Sequence, residues 1–266
     1  MTHLKNKFFD AYSTQETRLA GDVFEKHFHF EIEFLMLLTG NISVQIENKS
    51  YLVSPYSLIV IPPPNYHATT ANEPTEYQRI VVMTSTTAIP KPIEELFYSQ
   101  VKKHPLFKSK TITRIINNIR DLMSAEENTR FSALLDSLMV QLIYAVAFFE
   151  DNNDKSIIVL PDDKNLSAVI KYINSHITEN ISLADISANC FIAKSTLSHL
   201  FKEKMNISVK QYILQKKMIY ASSLIAEGIL PNTVAKSLGY ENYSNFFSIY
   251  KKIMGEPPSK TKNNKE

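Results

Sequence analysis

Two hydrophobic rhythms divide the chain. Up to about residue 85, apolar residues fall in short runs or alternate with polar ones. Phe34-Leu-Met-Leu-Leu38 is a continuous run that ends at the turn Thr39-Gly40-Asn41. Ile42-Ser-Val-Gln-Ile46 alternates, the mark of a strand with one buried face. Residues 47–50 turn the chain back into Tyr51-Leu-Val53, a hairpin pattern. Residues 58–61, stopped by prolines at 62–64, and then 67–70 and 77–83 extend the series. Short strands at near-regular spacing over 24–85 predict a small sandwich or barrel.

From about residue 93 the period becomes helical. Ile112, Ile115, Ile116, Ile119 and Leu122 recur at three and four, as do Phe131, Leu134, Leu135, Leu138, Met139, Leu142, Ile143 and Val146. The two stripes predict an antiparallel helix pair. Residues 134–149 are apolar on more than one face, which predicts a homodimer surface as well as a helical cap. Polar breakers surround a short Ile-Ile-Val-Leu run and predict a linker over 151–163. The remainder reads as short helices. The expected organisation is a β-rich domain with its helices over 1–150, the linker, and a helical domain over 164–266.

Composition narrows the class. The chain has 266 residues, 44% hydrophobic and 21% charged, a globular balance. It has no run of about 18 apolar residues and no signal-peptide pattern, so a membrane role is not expected. The single cysteine, Cys190, excludes an internal disulfide and fits a cytoplasmic location. Charge is uneven: residues 160–266 carry 14 Lys against 9 acidic groups, net +5, whereas residues 1–159 carry −3. A basic end beside an acidic one hints at nucleic acid.

The basic end repeats itself. Residues 183–203 and 233–252 each read as a short amphipathic helix, a tight turn and a second helix with paired apolar residues and a closing Lys. Gly239 stands where the first helix of its pair must end in a left-handed residue. These are helix-turn-helix signatures. A helix expected over 211–226 joins them, at ~1.5 Å per residue roughly 24 Å long, a length suited to setting two recognition helices about one DNA turn apart.

The ordered series Leu197…Phe201-Lys202, Tyr212-Ile213, Lys217-Met218-Ile-Tyr-Ala221 and Val234-Ala235…Leu238-Gly239-Tyr240…Phe246…Tyr250-Lys251-Lys252…Gly255-Glu-Pro-Pro258 resembles the DNA-binding domain of AraC/XylS-type transcription regulators. The resemblance covers about 100 residues. Several positions depart from it. Ser187 stands where the family usually has Ala, and Ala193 where it has a capping Ser. Asn206 replaces a glycine. After Pro258 the usual aromatic-Arg pair is missing, so the closing segment is expected to be loose. The resemblance implies promoter DNA as partner, with RNA polymerase recruited there. On the first recognition helix the outward set is Lys194, Ser195, Thr196, Ser198, His199 and Lys202. On the second it is Asn242, Tyr243, Ser244, Phe247 and Ser248, where Phe247 reads equally as a thymine-methyl contact or a core residue. Residues 160–266 contain no Arg, the usual fork for guanine. Reading by hydroxyls, amides, apolar contact and DNA shape is expected instead, with Lys on phosphates.

The first half holds its own motif. Gly21, His27, His29, Glu33 and Gly40 are spaced as in the first motif of cupin barrels, and Pro62 and His67 keep part of the second. Tyr56 and Pro64 replace that second motif's two glycines. Regulators of this family carry cupin-like sensor domains, which implies a small-molecule effector. The expected pocket is His27, His29, Glu33 and His67, with Tyr51 and Arg79 adding contacts. Three imidazoles and a carboxylate also suit a metal ion. The family's sensors generally work without one, so no cofactor is expected.

The sequence thus predicts an α+β protein that is not an enzyme. A cupin-like β-barrel with a helical dimerisation segment precedes an all-α domain of two helix-turn-helix units joined by a helix. The expected function is an effector-responsive, sequence-specific activator. A metal-dependent cupin enzyme tethered to DNA, or a regulator with a dead barrel, are the alternatives.

Overall fold

The computed structural model describes residues 2–23, 27, 29–125, 129–150, 158–160, 163–205 and 207–261. Linker positions 151–157 and 161–162, and Asn206, lie outside the described residues. The chain divides into two compact units, Met1–Pro161 and Asp162–Glu266.

The first unit holds two antiparallel sheets. One is six-stranded, built from β1 (Thr2–Lys5), β2 (Phe9–Arg18), β3 (Ile32–Thr39), β6 (Leu58–Ile61), β8 (Thr75–Thr84) and β9 (Leu106–Phe107), in the order β1-β2-β8-β3-β6-β9. The other contains β4 (Ile42–Ile46), β5 (Lys49–Val53), β7 (His67–Ala71) and β10 (Ile158–Leu160), in the order β10-β5-β4-β7. The alternation in Ile42–Ile46 and the hairpin into Lys49–Val53 form as read, with Ile42 opposite Val53 and Ile46 opposite Lys49.

Phe34-Leu-Met-Leu-Leu38 is continuous because β3 is buried on both faces. Ile32, Phe34, Met36 and Leu38 face a cluster shared with the helices. Leu35 and Leu37 face a second cluster, with Ile42, Val44, Tyr51, Val53, Ile59 and Val81, which fills the space between the sheets. Glu33 has the same parity as Leu35 and Leu37, so its carboxylate is carried on the inter-sheet face.

Three helices complete the unit: α1 (Glu94–Lys103), α2 (Lys110–Ser124) and α3 (Thr129–Ala147). The Ser109 hydroxyl caps α2 by accepting from the Ile112 N–H. The predicted α2 stripe is buried in full, and Leu135, Met139, Leu142, Ile143 and Val146 of α3 meet the same cluster. Leu134, expected in the stripe, is instead exposed, as are Val140 and Tyr144 of α3 and Phe148 just beyond its end; the side chain of Phe131 lies outside the described residues.

Two features differ from the sequence reading. Strands begin at Thr2, well before residue 24. β2 is mostly polar (FDAYSTQETR) and gives little alternation, yet it pairs with β8 over ten residues, from Phe9 opposite Thr84 to Arg18 opposite Thr75. Its strand character comes from its partner. The apolar run inside the expected linker is β10, which pairs with β5 from Ile158 opposite Leu52 to Leu160 opposite Ser50.

The second unit is helical: α4 (Lys164–Ser175), α5 (Leu183–Cys190), α6 (Lys194–Met205), α7 (Val209–Ala226), α8 (Pro231–Ser237) and α9 (Tyr243–Met254). Reciprocal capping boxes open α5, between Ser182 and Asp185, and α7, between Ser208 and Gln211. The 18 residues of α7 make a helix ~27 Å long.

Candidate effector pocket and nucleic-acid interface

Backbone pairing assembles the histidine cluster. His27 and His67 exchange two hydrogen bonds: the His27 N–H donates to the His67 carbonyl at 3.3 Å and the reverse bond is 3.1 Å. Gly21 takes φ +84 and its N–H donates to the Ala71 carbonyl at the end of β7. Glu33 comes from β3 in the facing sheet. Tyr56, which stands in place of a motif glycine, adopts the left-handed backbone that glycine would take, φ 60.

The side chains converge. His29 Nε2 lies 2.9 Å from Glu33 Oε2, and His67 Nε2 lies 3.1 Å from the same oxygen. The His29–Glu33 contact has hydrogen-bond geometry. The His67 contact does not, and Nε2 of this buried ring makes no hydrogen bond. Ring centroids are 4.4 Å apart for His27 and His67 and 4.9 Å for His29 and His67. Burial opposes ionisation of Glu33, but the His29 and His67 imidazoles outweigh it and hold its carboxyl well below the usual carboxylate range. Burial likewise opposes the charged form of His67, and Glu33 overrides it, raising that imidazole's pKa.

The other two expected pocket residues sit differently. Tyr51 is buried among the apolar side chains between the sheets. Arg79 lies on β8, its guanidinium 5.4 Å from the centre of the Tyr77 ring and donating to the Tyr77 hydroxyl at 3.2 Å. It shares the inter-sheet face of β8 with Tyr77 and Val81.

In the second unit each helix-turn-helix pair buries an apolar ridge and turns its polar positions outward. Leu197, Phe201 and Met205 of α6 are buried, and the Phe201 ring packs 5.5 Å from that of Tyr212 on α7. Lys194, Ser195, Thr196, Ser198, His199 and Lys202 are all exposed. On α9, Phe246 and Tyr250 are buried while Asn242, Tyr243, Ser244 and Ser248 are exposed. Phe247 is half-buried, its ring 6.3 Å from that of Tyr243. Some polar atoms are already engaged. Asn242 Oδ1 accepts the Ser244 N–H as the α9 cap, and the Ser198 and Ser248 hydroxyls donate to the carbonyls four residues back.

The departures from the family pattern find local roles. The Ser187 hydroxyl donates to the Ile192 carbonyl at 2.6 Å, fastening the turn between α5 and α6, where Phe191 takes a left-handed φ of 57. At the start of the closing segment, expected to be loose, the Thr261 hydroxyl is 2.7 Å from that of buried Tyr250, and Pro258 is buried; Lys262 onward lies outside the described residues. Gly239 has φ +81 as expected. Sequence reasoning assigned no role to Lys217. It is 7% exposed, and its ammonium donates to the Leu238 carbonyl at 3.2 Å, joining α7 to the turn that launches α9. Its signals in sequence were its place in the family-resembling series and a cation among the apolar positions of α7.

Comparison with known proteins supplies the family. Residues 12–143 match the AraC-like ligand binding domain, and residues 186–264 match a helix-turn-helix domain. The chain is 23% identical over 243 residues to the probable transcriptional regulator LumQ of Photobacterium leiognathi, covering 88% of this chain and 90% of that protein. It is 28% identical over 101 residues to the arabinose operon regulatory protein of Escherichia coli K12, covering 37% of this chain and 35% of that protein. The crystal structure of ToxT from Vibrio cholerae O395 aligns over 96% of both chains with a TM-score of 0.40 and 16% identity. Among the described residues, no helix is long and apolar enough to cross a membrane. The chain belongs to the AraC-type transcription regulators, with an AraC-like ligand-binding domain preceding a helix-turn-helix DNA-binding domain.

Proposed function

We propose that this regulator is a cytoplasmic, effector-responsive activator. Its second unit reads promoter DNA through α6 and α9, and its first unit binds a small molecule at the His27, His29, Glu33 and His67 cluster, with Arg79 beside it and Tyr51 in the wall. The observation that carries the reading is the repeated design of α6 and α9: a fully buried apolar ridge behind an exposed face of hydroxyl, amide, imidazole and ammonium groups. Such a face reads base edges and phosphates without an arginine fork. The exposed Leu134, Val140, Tyr144 and Phe148 form an apolar patch suited to pairing two copies. A pair of copies would place four reading helices on one promoter, where RNA polymerase is recruited. The effector acts by binding the DNA-competent and incompetent states unequally.

The test is binding of the full chain to labelled upstream fragments. His199→Ala and Tyr243→Ala are each expected to weaken specific binding about tenfold or more, since a base contact is worth ~1–3 kcal/mol. Unchanged affinity and sequence preference in both variants would show that these helices do not read DNA by these faces.

A further inference from the structure

We propose that the second unit holds a binding site for one small amphipathic acid, a carboxylate on a compact apolar body, in the cavity between its two helix-turn-helix pairs. The site is separate from the histidine cluster of the first unit and stands whether or not that cluster senses an effector. The cavity measures about 580 Å³, inside the ~300–1,000 Å³ range of small-molecule sites. Three places supply its walls: the connection into α5 around Ile181, the half of α7 that runs up to Lys217, and the turn before α9 at Leu238, Gly239 and Tyr240. Ser198 of α6 also lines it. A molecule seated there touches parts of both helix-turn-helix pairs.

The walls are mainly apolar, from Ile181, Leu183, Val209, Ile213, Leu214 and Leu238. Ile181, Leu183, Ile213 and Leu214 are only half-buried, so part of this apolar surface is left uncovered. Against it stands one buried charge. Lys217 is 7% exposed, and its ammonium makes a single hydrogen bond, to the carbonyl of Leu238 on the same wall. An ammonium has three N–H donors, so two are left over. No carboxylate pairs with it among the described residues, and burial alone pushes its pKa below the ordinary value. Two lysines, Lys210 and Lys217, line the cavity, and no acidic residue does.

A buried cation without a counter-charge is costly, and an anion brought within reach of its free donors relieves that cost. The hydroxyls of Ser182 and Ser198 do not compete for the anion, because they already donate to the Asp185 carboxylate and the Lys194 carbonyl. The Tyr240 hydroxyl makes no hydrogen bond among the described residues and can add a second donor. The two halves of the site select the occupant. An inorganic anion leaves the apolar walls uncovered. A neutral apolar molecule leaves Lys217 without a counter-charge. A DNA phosphate is fixed to a polar backbone that does not complement these walls. A small acid with an apolar body satisfies both halves.

The experiment titrates the purified full chain with 4-phenylbutyrate and, separately, with its neutral counterpart 4-phenylbutan-1-ol, by calorimetry. One equivalent of the acid is expected per chain, with a dissociation constant of about 1 mM or tighter, the weakest that a probe of this size gives in a fitted pocket. The acid should bind at least about tenfold more tightly than the alcohol, the effect of a hydrogen-bonded charge. Lys217→Met should erase that preference and leave the alcohol's affinity unchanged. Leu214→Trp, which fills the cavity, should remove binding of both. Urea unfolding confirms that each variant is folded, and if Lys217→Met is not, Leu214→Trp together with the parent's preference for the acid decides. Equal affinity of the parent for acid and alcohol overturns the proposal, as does acid binding retained in the folded variants, which would place the probe elsewhere. A parent that ignores the acid, while Lys217→Met lowers the salt slope of promoter binding by about one, also overturns it, by showing that the ammonium holds a DNA phosphate.

Discussion

The two units use polar side chains in opposite ways. In the first, the groups at the centre of the histidine cluster are buried: Glu33 is 5% exposed and His67 4%. In the second, the groups assigned to DNA are exposed, and what lies buried behind them is apolar. A buried charge is held by its partners, so its meaning lies in which atoms face it. An exposed charge has few partners, so its meaning lies in where the apolar ridge behind it points. Damage should therefore act through packing in the second unit and through charge balance in the first.

The largest expected effect tests the packing half. Phe246 is fully buried, with ring contacts to Tyr240 at 5.4 Å and Tyr250 at 5.6 Å. Phe246→Ala is expected to destabilise the second unit by ~3–5 kcal/mol, a large share of a small domain's stability. Specific DNA binding should fall with it although no reading residue is altered. Chemical denaturation followed by fragment binding checks both. The matching change in the first unit is Glu33→Ala, which leaves two imidazoles facing each other without a counter-charge. Breaking such a buried pair costs ~3 kcal/mol. Thermal unfolding in chelator should show it. An unmoved midpoint would mean that the carboxylate is not what balances the cluster.

The contrast also explains what the sequence disclosed. Packing writes itself as periodicity, so the α2 stripe, most of the α3 stripe and the ridge of α6 were legible from spacing alone. β2 was not, because polar residues dominate its ten positions and its strand character depends on β8. His27, His29, Glu33 and His67 were legible as a motif. Their convergence on a single oxygen was not, since it depends on Nδ1 bonds to the carbonyls of Glu31 and Asn65, and a carbonyl has no identity in sequence. Lys217 was hidden for the same reason, its partner being the backbone of Leu238.

A smaller effect isolates backbone from packing. No atom lies within 4 Å of where a Cβ on Gly239 would stand, so Gly239→Ala creates no clash. Only the left-handed φ of +81 is penalised, at roughly 1–2 kcal/mol. The fall in stability should be matched by a modest loss of DNA affinity, because Gly239 sets the direction in which α9 leaves the turn. A loss as large as that of Phe246→Ala would show that this turn carries more than a change of direction.

The smallest effect is a slope, and it probes the one charged side chain buried in the second unit among the described residues. Burial pushes the pKa of Lys217 below its ordinary 10.5. At neutral pH the folded chain bears the cost of an ammonium shielded from water. As pH rises through the lowered value, the folded form sheds this proton while the unfolded chain still holds it. Stability rises with pH wherever the unfolded state binds more protons, so this residue's contribution should improve over the interval just below 10.5. Lys217→Met keeps the chain length, removes the titration and leaves the Leu238 carbonyl without its donor. Subtracting the variant's urea stability from that of the parent at pH 7 and again near pH 10 cancels the titration of the tyrosines common to both. The difference should widen in favour of the parent at the higher pH. A difference that stays flat would mean that the Leu238 carbonyl and nearby solvent screen Lys217 well enough for it to behave as a surface lysine, and the contrast between the two units would then be complete.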